Sequence, residues 1–388
     1  MVDAIHTARW ISQIVDEGWE ILLFPVEQGP LHPALPEIKV FNPNLFKPNP
    51  SKNRFFPSLW VSPFFYVESK LSRMLGHSQS DLREYILSRV IQFYKPDLVH
   101  SLEMQHAGYL TLGAKKRLGG KFPKWAMTIW GSDIYLFGRL YKHKSHIQSV
   151  LAACDYFGSE SERDIPLARA LGFAGKILPV LPASGVFDLE YCEKFKQPGL
   201  VSERRTIVLK GYQHFAGRAL VGLRALALCA DLLQGYSVNL LGASPDVLMA
   251  AELFSQDTKI PVEVISGNQH DAQDDFILES FGRARIAIGL SISDGLPRTL
   301  LEAMVMGAYP IQSNTSSADE WIVTGLNGAI VPPEDPNIIA DAIRVALKDD
   351  ALVNKAAETN SKIAFERLSG QVVKPKVVDM YNKLLMDV

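Results

Sequence analysis

The sequence predicts an α/β protein made of two Rossmann-like halves, and three observations carry that prediction. Short β-branched runs alternate with longer amphipathic segments, the pattern of parallel strands joined by helices. The chain has 388 residues, more than a single hydrophobic core usually serves. Between the two series of strand patterns, Pro182 to Ser202 has weak periodicity and no clear strand, so the connection between the halves is expected there. No internal repeat and no low-complexity tract stands in the way of this reading, which excludes solenoids and propellers.

In the first half, strands are expected near Glu20 to Val26, Ile38 to Asn42, Asp97 to Ser101, Trp125 to Trp130, Tyr156 to Ser159 and Lys176 to Leu181. Helical patterns fill most of the gaps, for example Asp81 to Tyr94 and His143 to Ala153. The second series is Thr206 to Lys210, Ser237 to Gly242, Val262 to Ser266, Ile286 to Ser291, Ala308 to Gln312 and Gly328 to Val331.

Composition narrows the function classes. With 47% hydrophobic and 21% charged residues and a mean hydropathy of +0.04, the chain can bury a sizeable core, which rules out wholesale disorder. Forty basic against 42 acidic residues leave a formal charge of −2, so nothing global draws the chain to nucleic acid, and none is expected as a partner. The three cysteines, Cys154, Cys192 and Cys229, have no metal-ligand spacing and read as small core residues in a reducing compartment. No run approaches the roughly 18 apolar residues of a membrane helix, and no charged-then-apolar signal opens the chain. The expected location is cytoplasmic, at most peripheral at the inner face of the cell membrane.

One irregular region, 43–75, interleaves Lys47, Lys52, Arg54, Lys70 and Arg73 with Phe46, Phe55, Phe56, Trp60, Phe64, Phe65 and Tyr66, opposed only by Glu68. Rings suit a membrane interface and cations suit lipid phosphates, so one reading is a segment that settles on an anionic membrane surface. The other is a loop whose rings pack onto the first half.

The segment with most chemical content is Ser293-Asp294-Gly295-Leu296-Pro297-Arg298-Thr299-Leu300-Leu301-Glu302-Ala303-Met304. It follows a strand and reads as a tight turn at Gly295, a helix start at Pro297 and a buried stripe of Leu296, Leu300, Leu301 and Met304. A helix N-terminus opening at the carboxyl end of a parallel strand favours an anion, and a phosphate or diphosphate is the expected occupant. Asp294 before the helix and Glu302 within it are placed to hold hydroxyls on either side of that group.

At this point the sequence resembles the retaining glycosyltransferases of the GT-B fold that carry a Glu-x7-Glu motif, glycosyltransferase family 4, also called glycosyl transferases group 1. The match is Asp294-x7-Glu302 with Ala303-Met304, then Gly307 to Ile311, Asp319-Glu320-Trp321-Ile322, Gly325 to Pro333 and Glu334-Asp335-Pro336 before the helix Asn337 to Leu347. The resemblance implies two Rossmann-like domains facing each other across a cleft: an acceptor domain at 1–185, a nucleotide-sugar donor domain at 186–365, and a C-terminal helix at 366–388 packing back toward the first domain.

It further implies transfer of a sugar, with retention, from a nucleotide-diphosphate sugar to a hydroxyl of a glycan or lipid-linked acceptor, as in cell-surface polysaccharide or glycolipid synthesis, with no metal and no cofactor. By that resemblance Glu302 holds the ribose hydroxyls and Asp294 positions the transferred sugar. The diphosphate meets Gly295, Leu296, Pro297, Arg298, Thr299 and Leu300.

Upstream, Ile207-Val208-Leu209-Lys210-Gly211-Tyr212 through Arg218 aligns with the family's strand, glycine, arginine and lysine. Tyr212 stands in the usual arginine position and Gly217 in the usual lysine position, with cations close by at Lys210 and Arg218. Such cations neutralise a departing diphosphate; each also reads as a solvent-facing charge. Val264-Ile265-Ser266-Gly267 resembles the loop whose backbone meets the nucleobase, which makes Gly211, Ser266 and Gly267 donor-side candidates.

In the first half, Pro96 to Ser101 and Trp130-Gly131-Ser132-Asp133 resemble the family's strand-plus-His and His-Gly-x-Asp segments, with Trp130 in the place of the His. Asp133 is read as catalytic or as a turn residue. His100, His106 and Trp130 are acceptor-side candidates, each histidine also reading as a hydrogen-bonded structural residue. Departures at Tyr212, Trp130 and Asp294 keep open a non-catalytic sugar-nucleotide-binding paralogue, and the fold is also used by nucleotide-sugar epimerases.

The family's first strand leads into a glycine-bearing loop. Here Ile5, Ala8, Ile11 and Ile14-Val15 follow helical spacing instead. The first strand is therefore missing or atypical, and either upstream residues supply it or the sheet closes directly between its neighbours.

Overall fold

The computed structural model describes residues 5–27, 31–41, 54–55, 79–183, 186–265 and 273–387. The chain divides into two compact units, Met1–Gly185 with Lys374–Val388, and Val186–Val373.

In the first unit, β1 (Leu22–Leu23), β2 (Lys39–Phe41) and β3 (Arg54–Phe55) form a parallel sheet in that order. A second parallel sheet holds β4 (Leu98–Leu102), β5 (Lys124–Thr128), β6 (Tyr156–Gly158) and β7 (Lys176–Ile177). Trp125, Met127 and Phe157 are buried in its core, and Trp125 Nε1 donates to Ser101 Oγ at 3.0 Å. The chain enters this unit through the helix Ile5–Ser12, whose Ala8, Trp10 and Ile11 are buried. Among the described residues β1 and β4 do not pair with each other and lie in separate sheets. Both are half-buried, unlike the interior β5.

A buried hydrogen-bond chain ties distant parts of the sequence together in this unit. Trp10 Nε1 donates to Tyr381 Oη at 2.8 Å; Tyr381 Oη lies 2.6 Å from His100 Nδ1, and His100 Nε2 lies 2.7 Å from Thr128 Oγ1. Every ring nitrogen is engaged if the tyrosine donates to Nδ1 and the imidazole donates to the threonine. Burial lowers the His100 pKa to about 4, so the ring is neutral at physiological pH.

In the second unit, β8 (Thr206–Lys210) begins the sheet, and the hairpin of β9 (Gln213–His214) and β10 (Gly217–Arg218) follows it. β11 (Ser237–Leu241), β12 (Val262–Ile265), β13 (Ala284–Gly289), β14 (Tyr309–Ser313) and β15 (Ala329–Val331) complete a six-stranded parallel sheet of order β12-β11-β8-β13-β14-β15. β8 is hydrogen-bonded on both edges, Leu209 pairing with Leu240 on one side and Ile288 on the other. A strand so enclosed is buried on both faces, which is why it reads as a continuous apolar run. On the sheet's flank, buried Arg285 donates to the Ala346 and Leu347 carbonyls and pairs with Asp350 at 2.7 Å, placing a cation at the C-terminus of the helix Pro336–Lys348. The helix Gly370–Met386 starts in the second unit, and its residues from Lys374 on belong to the first.

All three cysteines are buried thiols. No helix among the described residues is long and apolar enough to cross a membrane.

The buried chain through Tyr381 has a measurable consequence. Tyr381→Phe leaves the Trp10 N–H and His100 Nδ1 without a partner, and the expected loss is about 1–3 kcal/mol in chemical denaturation. A variant within about 0.5 kcal/mol of wild type would show that water replaces the hydroxyl at no cost.

Candidate functional site

In the second unit the strand order reverses at β8, with β11 on one side and β13 on the other. The carboxyl ends around such a reversal are where open α/β sheets bind ligands. Lys210 ends β8 and Asp294 follows β13, and across the reversal Lys210 Nζ meets Asp294 Oδ2 at 2.9 Å, both side chains largely buried. The other carboxylate oxygen accepts from Gly295 N at 3.0 Å, which shapes the turn. Ser317 donates from its N–H and its hydroxyl to the Gly295 carbonyl, at 3.0 and 2.7 Å, and pins the far side of that turn.

The helix Arg298–Met306 starts immediately beyond, with Pro297 as its cap residue. Leu300, Leu301, Ala303 and Met304 are buried, so packing holds the helix against the sheet; the Leu300 and Leu301 amides donate to the Pro297 carbonyl, while those of Arg298 and Thr299 lack intrahelical acceptors. Glu302 is buried in this otherwise apolar stretch, and Arg298 one turn earlier neutralises it at 2.7 Å. The Arg298 guanidinium also lies 4.7 Å from the Phe187 ring centroid, which limits its swing. Arg298 Nη1, Thr299 Oγ1 and Ser244 Oγ are buried polar atoms without a hydrogen-bond partner. Such atoms are costly unless a ligand or water completes them.

The β9–β10 hairpin closes the site from the β8 side. Its Phe215 carbonyl accepts from Ile292 N at 2.9 Å and Ser293 N at 3.1 Å, docking the hairpin onto the loop that carries Asp294. Arg218 on β10 pairs with Glu334. Tyr212 stacks on His214 with ring centroids 5.3 Å apart and planes 17° apart, while Lys210 Nζ sits 5.5 Å from the Tyr212 centroid. Gly242 makes room for this stack: its φ is +65°, and a Cβ there would lie 2.7 Å from Tyr212 Cε1. Gly211 allows β8 and β11 to converge, since a Cβ would meet Ala243 Cα at 2.9 Å.

Thus Lys210, Gly211, Asp294, Gly295, Leu296, Pro297, Arg298, Thr299, Leu300 and Glu302 gather at one end of the sheet, with Arg218 on the neighbouring hairpin. Ser266 and Gly267 lie outside the described residues, as does 43–75 apart from the backbone of Arg54 and Phe55. Residues 1–4 also lie outside them. The pairing of Arg218 with Glu334 and the Tyr212–His214 stack were not anticipated; two aromatic residues beside a strand-end lysine were the available signal.

In the first unit the carboxyl ends of β4 and β5 carry a second cluster. Glu103, directly after β4, takes φ +81° and ψ +140°, a conformation that costs an L-residue about 1–3 kcal/mol. Its carboxylate accepts from the amides of Gln105, His106 and Ala107 and lies 3.1 Å from His106 Nδ1. These bonds organise a π-helical turn, Met104–Gly108.

Asp133, after β5, accepts from Met104 N at 2.7 Å and Trp130 N at 2.8 Å, and so clamps the two loops together. Trp130 presents its indole against the His6 ring, centroids 5.4 Å apart. Of the acceptor-side candidates, His106 and Trp130 stand in this cluster, whereas His100 has both ring nitrogens committed to the core. Glu103 was not anticipated; its signal was an acid three residues before a histidine at a strand end.

Electrostatics mark Asp133 and His106 in this cluster. Burial, reinforced by the Glu103 charge, pushes the Asp133 carboxyl up to about 7 despite backbone hydrogen bonds from Met104, Trp130 and Asp133 itself that oppose the shift. The hydrogen bond to Glu103 raises the His106 pKa.

Two family models match this chain: glycosyl transferases group 1 over residues 248–363 and glycosyl transferase 4-like over residues 67–161. Among solved structures, the sucrose-phosphate synthase of Thermosynechococcus elongatus superposes with a TM-score of 0.66 at 15% identity, covering 99% of this chain and 94% of that one. HepE of Anabaena, in complex with UDP and glucose, gives 0.67 at 14% identity, with 98% and 96% covered. The lipopolysaccharide outer core galactosyltransferase WaaB gives 0.63 at 16% identity, with 98% and 96% covered. A search of curated protein sequences returned no match.

The Asp133 environment is testable by carboxyl NMR titration, with an expected midpoint well above the ordinary value of 3.8. Because the folded pKa is the higher one, Asp133 contributes stability that is full below about 3.8 and is lost as pH rises through about 7. Wild type should accordingly lose stability relative to Asp133→Asn over that interval, and an ordinary midpoint with parallel stability curves would refute the assignment.

Proposed function

Because the chain is a group 1 glycosyltransferase of the GT-B fold, we propose that it transfers a sugar, with retention of anomeric configuration, from a nucleotide-diphosphate sugar to a hydroxyl of a glycan or lipid-linked acceptor. The observation that carries this reading is the Lys210–Asp294 pair at the strand-order reversal, beside the start of the helix Arg298–Met306. An oxygen-rich anionic ligand there would meet first-turn amides and the unpartnered Thr299, Ser244 and Arg298 atoms. Complexes of HepE with UDP and with UDP-glucose support a sugar nucleotide as that ligand.

In this mechanism the ribose hydroxyls bind Glu302, whose orientation Arg298 secures. The diphosphate lies against the Arg298 and Thr299 amides at the start of the helix, with Lys210 and Arg218 countering its charge as it leaves. Asp294 positions the transferred sugar. The departing phosphate oxygen takes the acceptor proton on the face it vacates, so retention needs no separate base and catalysis rests on positioning and charge stabilisation. Trp130 and His106, on the first unit, serve the acceptor. A non-catalytic sugar-nucleotide binder is the second reading, favoured by the commitment of Lys210 and Arg218 to carboxylates; donor binding without turnover on any acceptor would establish it.

Glu302→Ala is expected to weaken nucleotide binding at least tenfold by calorimetry, whereas Asp294→Ala should lower kcat at least tenfold with nucleotide affinity within threefold. Wild-type behaviour in both variants would dismiss the assignment. Since cationic side chains are the proposed counter-charge, turnover should survive chelator. Loss of activity restored by manganese would instead place a metal on the diphosphate.

A further inference from the structure

The most strained described residue at a strand end is Glu103, and its strain has a purpose that capping alone does not explain. A glycine would take φ +81° without steric cost, and a Ser or Asp one residue later would cap a turn in ordinary backbone. What the observed arrangement adds is a carboxylate held against His106 Nδ1 at 3.1 Å while the His106 side chain remains 51% exposed. An imidazole nitrogen facing a carboxylate carries the proton, so in the neutral ring the other nitrogen is bare. Three backbone amides fix the carboxylate, and the π-helical turn it organises fixes the ring. Asp133 locks that turn to the Trp130 loop through Met104 N and Trp130 N. The turn, the strained backbone and the carboxylate pair all sit at the carboxyl ends of β4 and β5, where a parallel sheet presents ligands with its loops.

We propose that Glu103 is a positioning residue for the acceptor: it holds His106 with Nδ1 protonated so that Nε2 accepts a hydrogen bond from a hydroxyl of the acceptor. The ligand class is a polyhydroxylated acceptor, met by a hydrogen-bond acceptor rather than by a charge. This inference rests on the reading of the chain as an active glycosyltransferase.

The test uses the full-length protein at about pH 8, with a nucleotide-sugar donor identified by thermal shift and a panel of nitrophenyl glycosides as acceptor probes. Glu103→Gln should raise the acceptor KM at least tenfold and leave the donor KM within twofold. His106→Ala, a change at an exposed side chain, should do the same with an unfolding temperature near wild type. The double variant should be no worse than His106→Ala alone, because Glu103 acts through His106. Nitrogen NMR should place the proton on Nδ1 in wild type and distribute it over both nitrogens in Glu103→Gln. Transfer by wild type with an unchanged acceptor KM in His106→Ala, or an additive double variant, would overturn the role of Glu103 while leaving the glycosyltransferase reading intact. Donor binding with no transfer to any probe by the wild-type protein would overturn both.

Discussion

The contact between Lys210 and Asp294 is the constraint around which the second unit's chemistry is arranged. The two residues are 84 positions apart, yet their strands are neighbours because β8 is threaded between β11 and β13. Asp294 is held in the turn, the turn sets the entry of the helix Arg298–Met306, and that helix carries Glu302 and Arg298 to the same end of the sheet. The hairpin that brings Arg218 is docked on the same loop through the Phe215 carbonyl. Each cation here has a carboxylate partner: Lys210 with Asp294, Arg298 with Glu302, Arg218 with Glu334. A diphosphate bound there as proposed would share cations already in use, so its affinity would depend on how readily these pairs are exchanged, not on a surplus of positive charge.

Much of this was legible in the sequence, for a physical reason. Strands buried on both faces are built around apolar runs, here Ile207-Val208-Leu209 and Ile286-Ala287-Ile288, and such runs stand out between amphipathic helices. The motif from Asp294 to Glu302 is equally local: turn, cap and buried stripe occur within a dozen consecutive residues.

What was hidden depends on contacts between distant positions or on backbone conformation. The hairpin strands β9 and β10 are two residues each and exist through the fold around them. His100 looks like a ligand-binding residue at a strand end, but Tyr381, 281 positions later, takes its Nδ1 and makes it structural. Glu103 offers only an acid three residues before a histidine, because what distinguishes it is a positive φ that the sequence does not print.

The assignment of Lys374–Val388 to the first unit has a bearing on how the protein is made. The second unit is contiguous and has all its strands once residue 331 has been synthesised. The first unit, although most of it leaves the ribosome earlier, keeps Trp10 and His100 without their shared partner until Tyr381 emerges. Domains usually complete in the order in which they are translated. In this chain the order is inverted: the half that is begun first is finished last, because the hydrogen-bond chain from Trp10 through Tyr381 to His100 is complete only when the helix that carries Tyr381 arrives.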